Sequence, residues 1–394
     1  MKTVPIVQIG NLSTTNTPKL RVAIVAESFL PHVNGVTNSV LRTIEYLTRN
    51  GHEVVVIAPG PGSDTEAGVP VVRMSSFGFP GYEELRISRP QKALEAAIRA
   101  INPDVIHLAA PAVLGAWAGR VARKLDIPCV AIYQTDLAGF AKQYRLGATS
   151  PALWKYVAAI HKRADVTLAP STSAVWDLRR HGVDNAVRWM RGVDTERFNP
   201  IHRTEELRKS LGGDGKIIVG FVGRLAREKQ VERLADVCSL PNVSVVIVGD
   251  GPVRKKLERL MPSAIFTGFA SGKTLSEMYA SFDIFAHTGV DETFCQSVQE
   301  ALSSGTPVVA PAVGGPLDLV QHGVNGFLWT PQRKNTLVES VQELVVNEGI
   351  RFQCAGNARQ SVQHRTWESI MEELIGHYYS VTQGMSFAYR AVAS

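Results

Sequence analysis

The feature that most constrains the fold is an alternation of short apolar runs with helix-length segments, which occurs twice along the chain. The first series lies at 21–26, 53–58, 104–108, 128–133 and 166–170, and the second at 216–223, 243–249, 264–268, 283–287 and 306–311. Strands that are apolar along nearly their whole length are typical of parallel sheets with helices on both faces. The sequence therefore predicts an α/β chain with two doubly wound parallel sheets, each in its own domain.

A length of 394 residues also suits two domains rather than one. We expect a flexible leader over 1–19, a first domain over 20–198, a second domain over 199–372 and a C-terminal helix over 373–394 that returns to the first domain. A glycine, a proline and a run of charges at 192–206 mark the linker. Open α/β sheets bind ligands at the carboxyl ends of their strands, so we expect a cleft lined by the loops that follow strands.

The net charge of +6 is unevenly distributed. Residues 1–199 hold 23 Lys and Arg against 16 Asp and Glu, while residues 200–394 carry a net charge of −1. Such asymmetry predicts an acidic partner, which could be a phospholipid surface, an acidic acceptor or nucleic acid. Nucleic acid is the least favoured because no helix-turn-helix, RNP or zinc signature is present. Four scattered cysteines and the lack of an apolar run of ~18 residues predict a cytoplasmic protein without a membrane span.

The segment 140–165 is the candidate for contact with a membrane. It interleaves cations with aromatic residues, namely Lys142, Arg145, Lys155, Lys162 and Arg163 with Tyr144, Trp154 and Tyr156. This mixture is typical of a helix that lies in a lipid headgroup layer. A surface helix that packs Trp154, Val157 and Ile160 onto the core explains the apolar residues equally well. The charge asymmetry favours the first alternative, so we expect peripheral contact with the inner face of the plasma membrane.

Two cations follow the first strand of the second series. Arg224 comes directly after the run 216–223, and Lys229 is predicted at the start of the next helix. An arginine fork and a lysine charge beside a helix N-terminus suit a diphosphate. The alternative is ordinary surface charge beside Glu228 and Glu232.

A weaker phosphate signal lies between the first strand and the first helix, where Asn34 precedes Gly35. A glycine at this point lets a backbone amide approach a phosphate closely. The segment is not the full G-x-G-x-x-G fingerprint, so it gives poor support for a dinucleotide site.

The stretch DETFCQSVQEALSSGTPVVAP at 291–311 carries two glutamates eight positions apart. We predict Glu292 in the loop after a strand, and Glu300 about one turn into a helix that begins near Ser297 and ends at Gly305. Exposed amides of residues 293–296 would lie between them. Carboxylates accept hydrogen bonds from hydroxyls and amides donate to phosphate, so this order predicts a sugar, a diphosphate and a ribose.

At this point the residues resemble a known family. The E-x7-E element, which begins Glu-Thr-Phe, resembles the signature of glycosyltransferase family 4, whose members are retaining enzymes of the GT-B fold. GRLAREK (223–229) is similar to the family's diphosphate-binding motif, and GDGP (249–252) and FTGF (266–269) are similar to its loops near the nucleotide base. The resemblance covers about residues 20–380. RISRP, YQTDLAGFAKQY and RWMRGVDTERF look most like actinobacterial GDP-mannose-dependent α-mannosyltransferases that act on glycolipids.

The resemblance implies a role for each matching residue. The donor-binding residues would be Gly35, Arg224, Lys229, Gly268, Glu292, Phe294, Cys295, Gln296 and Glu300, and the catalytic residues would be Arg224, Lys229, Glu292, Gln134 and Asp136. Arg224, Lys229 and the Gly35 amide would bind the diphosphate. Glu292 would hold hydroxyls of the donor sugar and Glu300 those of the ribose. No metal or other cofactor is implied.

Two positions depart from the family's pattern. Cys295 stands where the family usually has glycine, so a side chain narrows the pocket while the amide stays available. Gln134 stands where the family often has histidine near the donor sugar. Glutamine can bind a sugar hydroxyl but cannot carry a proton, which argues against a general base at that position.

The sequence thus predicts a retaining hexosyltransferase that moves mannose from GDP-mannose to a lipid-linked or glycolipid acceptor of the cell envelope. The partners would be the nucleotide-sugar donor, the acceptor and an anionic membrane surface. The alternatives are a UDP-sugar-dependent transferase of the same fold, such as a sulfoquinovosyl- or glucosyl-diacylglycerol synthase, and a catalytically silent nucleotide-binding module.

Overall fold

The structure is a computed structural model that describes residues 18–32, 34–79, 82–88, 91–134 and 150–383. The chain divides into two compact units. The first comprises the described residues of Met1–Met190 and Ile370–Ser394, and the second comprises Arg191–Ser369. Each unit has its own sheet.

The first unit contains strands β1 (Arg21–Ala26), β2 (Glu53–Pro59), β3 (Thr65–Glu66), β4 (Val69–Met74), β5 (Ser76–Phe79), β6 (Tyr82–Ser88), β7 (Val105–Ala109), β8 (Cys129–Ile132), β9 (Val166–Ala169) and β10 (Ala186–Arg188). Its helices are α1 (Gly35–Arg49), α2 (Gln91–Ile101), α3 (Leu114–Leu125), α4 (Ser150–His161) and α5 (Thr172–Arg180). The sheet order is β10-β9-β8-β7-β1-β2-β4-β3, parallel except for β3, and β5 pairs with β6 as a separate hairpin. The chain reverses its direction across the sheet between β1 and β7, as in a doubly wound fold.

The second unit contains helices α6 (Glu205–Ser210), α7 (Arg254–Leu260), α8 (Gly272–Ser281), α9 (Gln296–Ser303), α10 (Thr336–Val346) and α11 (Glu348–Val362). Its strands are β11 (Ile217–Val222), β12 (Val243–Val248), β13 (Ile265–Gly268), β14 (Ile284–Ala286), β15 (Val308–Pro311) and β16 (Gly326–Trp329). They form a parallel sheet in the order β13-β12-β11-β14-β15-β16, which reverses between β11 and β14. A last helix, α12 (Trp367–Thr382), belongs to the first unit from Ile370 onward.

All ten apolar runs form strands, with ends within two residues of the predicted ones, so the fold class is confirmed. Residues such as Ile106 and Leu108 in the first sheet, and Val219 and Ile247 in the second, are completely buried. The prediction missed β3, β4, the β5–β6 hairpin, β10 and β16. The run of β4 contains Pro70 and β3 has only two residues, so neither produces a continuous apolar signal.

The borders of the units differ from the predicted ones. Residues 191–198 lie with the second unit, where the Ser303 hydroxyl donates to the Phe198 carbonyl at 2.7 Å. The chain returns at Ile370 rather than at residue 373, and the Trp189 indole donates to the Ile370 carbonyl at 3.0 Å within the first unit. In both hydrogen bonds a side chain donates to a backbone carbonyl more than a hundred residues away in sequence. The composition of a linker gives no information on such distant contacts, so it could not predict these borders.

Both ends of the chain contribute to the first unit. Residues 1–17 of the predicted leader (1–19) lie outside the described residues, but the carbonyl of Pro18 accepts a hydrogen bond from the Tyr379 hydroxyl at 2.8 Å. Ile370, Leu374 and Tyr378 of α12 are buried. Among the helices that the structure describes, none combines the length and the apolar character needed to cross a bilayer.

Candidate active site

The charged residues singled out in the second half meet where the sheet reverses. One loop (223–230) follows β11 and another (287–295) follows β14, and these two strands are neighbours in the sheet. The carboxyl ends of two such strands form the crevice in which doubly wound sheets bind ligands. Arg224 and Lys229 lie on the first loop and Glu292 on the second, so the predicted residues flank one crevice.

The loop that carries Arg224 is fixed by its backbone. The Leu225 amide donates to the Asp250 carbonyl at 2.9 Å, and the Val253 amide donates to the Leu225 carbonyl at 3.1 Å. A side chain at position 249 would collide with the Gly223 carbonyl. The turn after β12 therefore needs glycine at this position to pack closely against the loop that carries Arg224. The Arg224 side chain is left exposed to solvent at the end of β11.

Gly268 belongs to the same group of loops. It ends β13 with a φ of +79°, and its carbonyl accepts a hydrogen bond from the Gly249 amide at 2.8 Å. The next side chain, Phe269, is 79% exposed. Gly268 is thus a turn position beside an exposed aromatic ring, and its contact with the nucleotide stays a prediction.

The predicted helix start at Lys229 is wrong. Lys229 ends a 3-10 turn (Arg227–Lys229), and a second 3-10 turn (Val231–Leu234) follows it. Gln230 between them has a φ of +48°, which interrupts the helix, and the Lys229 carbonyl accepts the Thr288 hydroxyl at 2.6 Å. Without a regular helix here, Lys229 acts as a point charge and gains no help from a helix dipole.

Lys229 and Glu292 form an ion pair across the two loops. The Lys229 ammonium contacts the Glu292 Oε1, and the side chains are 26% and 20% exposed. Burial lowers the pKa of Lys229, but the neighbouring Glu292 carboxylate more than offsets this and leaves it above its ordinary value. The lysine is therefore charged at neutral pH. The diphosphate-binding cation and the sugar-binding carboxylate of the prediction are partners in this structure.

The start of α9 lies immediately after Glu292 and has no side-chain cap. Within the described residues, the amides of Cys295, Gln296 and Ser297 donate to no other group. The helix begins at Gln296, one residue before the predicted start, and the Gln296 side chain donates to the Gly192 carbonyl at 3.1 Å. Phe294 is buried beside these amides. Uncapped amides at a helix start next to a lysine are well suited to an anion such as phosphate.

Cys295 turns its side chain inward. Its sulfur lies 3.5 Å from Nε2 of His287, the residue that follows β14, and burial raises the pKa of the thiol well above its ordinary value. Burial also lowers the pKa of His287 to about 4. Both groups are therefore neutral at pH 7, and the extra side chain at position 295 fills space beneath the loop.

Glu300 lies about one turn into α9, as predicted. Its Oε2 accepts the Tyr279 hydroxyl at 3.0 Å. Burial raises the pKa of Glu300 to about 7, although the Tyr279 bond and the positive charges of Arg197 and Arg191 oppose this shift. A carboxylate surrounded by donors can accept further bonds from ligand hydroxyls.

The loop at 312–318 packs against the backbone of Glu292. The Gly315 amide donates to the Glu292 carbonyl at 3.1 Å, and a side chain at Gly314 would lie 2.8 Å from the same oxygen. Gly314 also has a φ of +68°, which favours glycine. The Gly-Gly pair was not recognised from the sequence as part of the site.

In the first unit, Gly35 is the first residue of α1, and Asn34 caps that helix. The Asn34 Oδ1 accepts the amides of Val36 and Thr37, each at 3.0 Å. Two of the amides that could have faced a phosphate are therefore used within the protein. Binding of a diphosphate by the Gly35 amide stays a prediction.

Gln134 follows β8 and contributes to a small pocket that Tyr133, Val157 and His161 also line. Its side-chain oxygen is buried and has no hydrogen-bond partner in the part of the chain that the structure describes. An unsatisfied buried acceptor is costly unless a ligand or water completes it. Asp136, its predicted neighbour in catalysis, lies outside the described residues.

A buried carboxylate in the first unit was missed. Glu27 directly follows β1 and accepts the amides of Ala112, Leu114 and Gly115 at 2.7, 3.1 and 2.8 Å, so it caps the start of α3. The signal was present for Glu27 and for His287, since each is a polar residue directly after a buried strand. Their partners are distant in sequence, which is why the pattern alone did not identify them.

Comparison with known proteins relates nearly the whole chain to glycosyltransferases. Residues 33–197 match the family model described as Glycosyltransferase Family 4, and residues 203–361 match the model described as Glycosyl transferases group 1. The GDP-mannose-dependent alpha-mannosyltransferases of Corynebacterium glutamicum and Mycolicibacterium smegmatis are 45% and 48% identical to this chain. The alignments cover 92% of this chain, and 89% and 98% of the respective relatives.

Among solved structures, the crystal structure of Anabaena HepE in complex with UDP has a TM-score of 0.75 to this chain. It is 20% identical and covers 91% of this chain and 100% of its own. At this identity the likeness concerns the fold alone, which is the predicted GT-B architecture.

Proposed function

We propose, since the chain belongs to glycosyltransferase family 4, that it transfers mannose from GDP-mannose to a lipid-linked or glycolipid acceptor with retention of the α configuration. The observation that carries the proposal is the alignment of 92% of the chain with GDP-mannose-dependent α-mannosyltransferases at 45–48% identity. The crevice between β11 and β14 supplies groups that fit each part of this donor.

The diphosphate of the donor would lie between the two loops of the second unit. Arg224 and Lys229 supply positive charge there, and the uncapped amides at the start of α9 supply donors. Glu300 accepts the ribose hydroxyls, and Glu292 accepts hydroxyls of the mannose ring. The Lys229–Glu292 ion pair would open as each group turns to its own part of the donor.

The reaction would depend mainly on electrostatic stabilisation. The bond from the anomeric carbon to the phosphate oxygen breaks, and the diphosphate gains the negative charge that Arg224 and Lys229 stabilise. The acceptor hydroxyl attacks from the same face and passes its proton to the departing phosphate oxygen. Gln134 can bind a hydroxyl but carries no proton. The two cations provide the charge that a metal ion would otherwise supply, so we expect chelators to leave the rate unchanged.

The proposal is tested by incubating the purified protein with a lipid extract and radiolabelled GDP-mannose, UDP-glucose or UDP-sulfoquinovose. We expect GDP release and a labelled lipid with GDP-mannose alone. Calorimetry should show tighter binding of GDP than of UDP. Transfer from a UDP-sugar would replace the donor assignment, and nucleotide binding without transfer from any donor would identify a catalytically silent module.

We further propose that the first unit meets an anionic membrane through four cations, two on α3 and two directly after α4: Arg120, Arg123, Lys162 and Arg163. The Arg123 guanidinium donates to the carbonyls of Arg163 and Lys162 at 3.3 and 3.4 Å. Burial and then the charges of Arg120 and Arg123 lower the pKa of Arg163. Like charges this close favour an anionic partner such as a phospholipid headgroup. In the described residues none of the four forms an ion pair.

The proposed membrane contact differs from a helix lying flat in the headgroups. Trp154 of α4 stacks on His181 with ring centroids 4.0 Å apart, and Val157 and Ile160 are buried, so the packed-helix alternative describes this face of α4. Tyr156 is exposed, but its hydroxyl donates to the Ala112 carbonyl at 2.8 Å. Lys142, Tyr144 and Arg145 lie outside the described residues.

Vesicle flotation tests this contact. Binding to vesicles that contain phosphatidylinositol should weaken as salt rises from 50 to 500 mM, because surface charges are screened (roughly threefold shorter Debye length). The double variant Arg123→Glu/Lys162→Glu should bind several-fold less. The matched control Lys255→Glu/Lys256→Glu reverses two exposed lysines of α7 and should bind as the wild type does. Salt-independent binding, or equal loss in both variants, would rule out this surface.

A further inference from the structure

His287 is held in place at its backbone on both sides. Its amide donates to the Val309 carbonyl of β15 at 2.8 Å, and its carbonyl accepts the Trp329 indole of β16 at 3.2 Å. The side chain is 2% exposed. The imidazole ring therefore has a defined position beneath the loop that carries Glu292.

The Nε2 atom of the ring lies near two polar side chains of the site. Nε2 of His287 lies 3.5 Å from the Cys295 sulfur and 3.8 Å from Oε1 of Glu292. This Oε1 is the atom that the Lys229 ammonium contacts. A side chain at Gly289 would lie 3.3 Å from Oε1 and 3.4 Å from Nε2, so the loop approaches the pair closely.

The donor would change the partners of Glu292. In the proposed reaction Lys229 turns to the diphosphate, and Oε1 of Glu292 loses its contact with the ammonium. A partly buried carboxylate oxygen that loses its donor is penalised unless another donor replaces it. Cys295 is a weak donor, whereas the Nε2 of His287 lies 3.8 Å from Oε1 and can donate a hydrogen bond to it after a small movement. A neutral ring can donate one N–H from Nε2 without adding charge.

We propose that His287 is a positioning residue for the donor sugar: its Nε2 hydrogen-bonds Oε1 of Glu292 when Lys229 engages the diphosphate. The carboxylate then keeps the orientation in which its other oxygen faces the sugar hydroxyls. This inference rests on the proposed function, because it assigns Glu292 to the sugar and Lys229 to the diphosphate. The competing explanation is a histidine that only fills the core between β14, β15 and α9.

Two substitutions of similar size separate these explanations. His287→Gln places an amide nitrogen near the position of Nε2, whereas His287→Met fills the space with an apolar chain. We expect His287→Met to lower kcat for mannose transfer at least ~10-fold, because Glu292 is left without support in the donor complex. His287→Gln should recover most of this loss. GDP has no sugar ring, so its Kd should change less than ~2-fold in either variant.

A double-mutant cycle with Glu292→Gln shows whether the effect passes through Glu292. In that background His287→Met should lower kcat by less than ~2-fold, because the carboxylate that His287 orients is gone. Equal activity of the Met and Gln variants, or an unchanged Met effect in the Glu292→Gln background, would overturn the proposal. These outcomes concern His287 alone, whereas a wild-type protein that transfers no mannose contradicts the proposed function.

¹⁵N NMR on the wild-type protein reports the protonation of the His287 ring directly. This test does not depend on whether a variant folds. With uniformly ¹⁵N-labelled histidine, the ring signals distinguish a proton on Nε2 from a proton on Nδ1. On addition of GDP-mannose we expect His287 as the Nε2–H form with its proton signal shifted downfield, and GDP alone should give a smaller shift. A proton on Nδ1 in the donor complex would refute the proposed hydrogen bond, since Nε2 would then have none to donate.

Discussion

Two carboxylates occupy comparable places in the two units, and they are held by different kinds of donor. In the first sheet, Glu27 follows β1 and reaches across the reversal point to the amides after β7. In the second sheet, Glu292 follows β14 and reaches across the reversal point to Lys229, which comes after β11. Backbone amides cannot leave their partner without unfolding a helix start, whereas a lysine side chain can turn to another anion. The first carboxylate is therefore a structural cap, and the second is available to a ligand.

One buried histidine in each unit repeats the contrast. His107 of β7 lies with its Nδ1 2.6 Å from the Tyr378 hydroxyl, and burial lowers its pKa to about 3. That bond ties α12 to the first sheet and involves no charged group. His287 instead lies beside Glu292 and Cys295. One fold thus uses the same residue type as a packing element in one unit and beside a charged pair in the other.

The largest expected effect concerns the cations of the second unit. Arg224→Ala or Lys229→Ala should lower kcat at least ~10²-fold, close to 3 kcal/mol, because each charge stabilises the leaving diphosphate most strongly in the transition state. Arg227→Ala is the control. Arg227 is exposed on the same turn, and its variant should have a kcat close to that of the wild type. The measurement is kcat from steady-state kinetics. A near-normal kcat in either alanine variant would rule out that cation as a stabiliser of the leaving diphosphate.

The next effect separates the cap from the ligand-binding carboxylate. Glu27→Ala should lower the free energy of unfolding by about 1–3 kcal/mol, because three buried amides lose their acceptor. Glu292→Ala should change the free energy of unfolding far less, although it should reduce kcat. The control Glu53→Ala removes an exposed ion pair with Arg21 and should cost less than about 1 kcal/mol. Urea unfolding provides the measurement, and similar losses for Glu27 and Glu292 would erase the distinction between them.

A smaller effect distinguishes the two glutamates of the second unit. The ribose is the same in the ground and transition states, so Glu300→Ala should raise the donor KM and weaken GDP binding about 10-fold. Glu292→Ala should lower kcat and leave GDP binding within about 2-fold, because GDP has no sugar ring. Calorimetry on both variants checks this prediction. An equal loss of GDP affinity in the two variants would exclude the assignment of Glu300 to the ribose and Glu292 to the sugar ring.

The smallest effect is a pH dependence of nucleotide binding. Burial raises the pKa of Glu300 to about 7. The ionised carboxylate is the better acceptor for ribose hydroxyls, so GDP affinity should rise several-fold from pH 6 to pH 8 as Glu300 loses its proton. Glu300→Gln should bind GDP more weakly at pH 8 and with a flatter profile. A wild-type profile that is flat or falls with pH would show that the ribose does not depend on an ionised Glu300.

The sequence by itself determined the elements whose signals are local. Ten apolar runs predicted ten of the sixteen described strands, and a strand followed by Glu292 and a helical pattern placed Glu292 on a loop and Glu300 in a helix. Each of these signals depends on neighbours within a few residues. The resemblance to the family then supplied the donor and the identity of its parts, which neither spacing nor composition contains.

Only the tertiary structure decided which polar groups meet. Lys229 and Glu292 are 63 residues apart, and Glu27 and the Gly115 amide are 88 apart. Whether a charge ends beside a partner, a backbone amide or solvent depends on the order of strands and on how loops pack, as the 3-10 turns around Gln230 also illustrate. Hydrophobic periodicity indicates which face of a helix or strand is buried. It does not indicate which residue, distant in sequence, packs against that face. The strands could therefore be predicted from the sequence, whereas the Lys229–Glu292–His287 arrangement could be seen only in the folded chain.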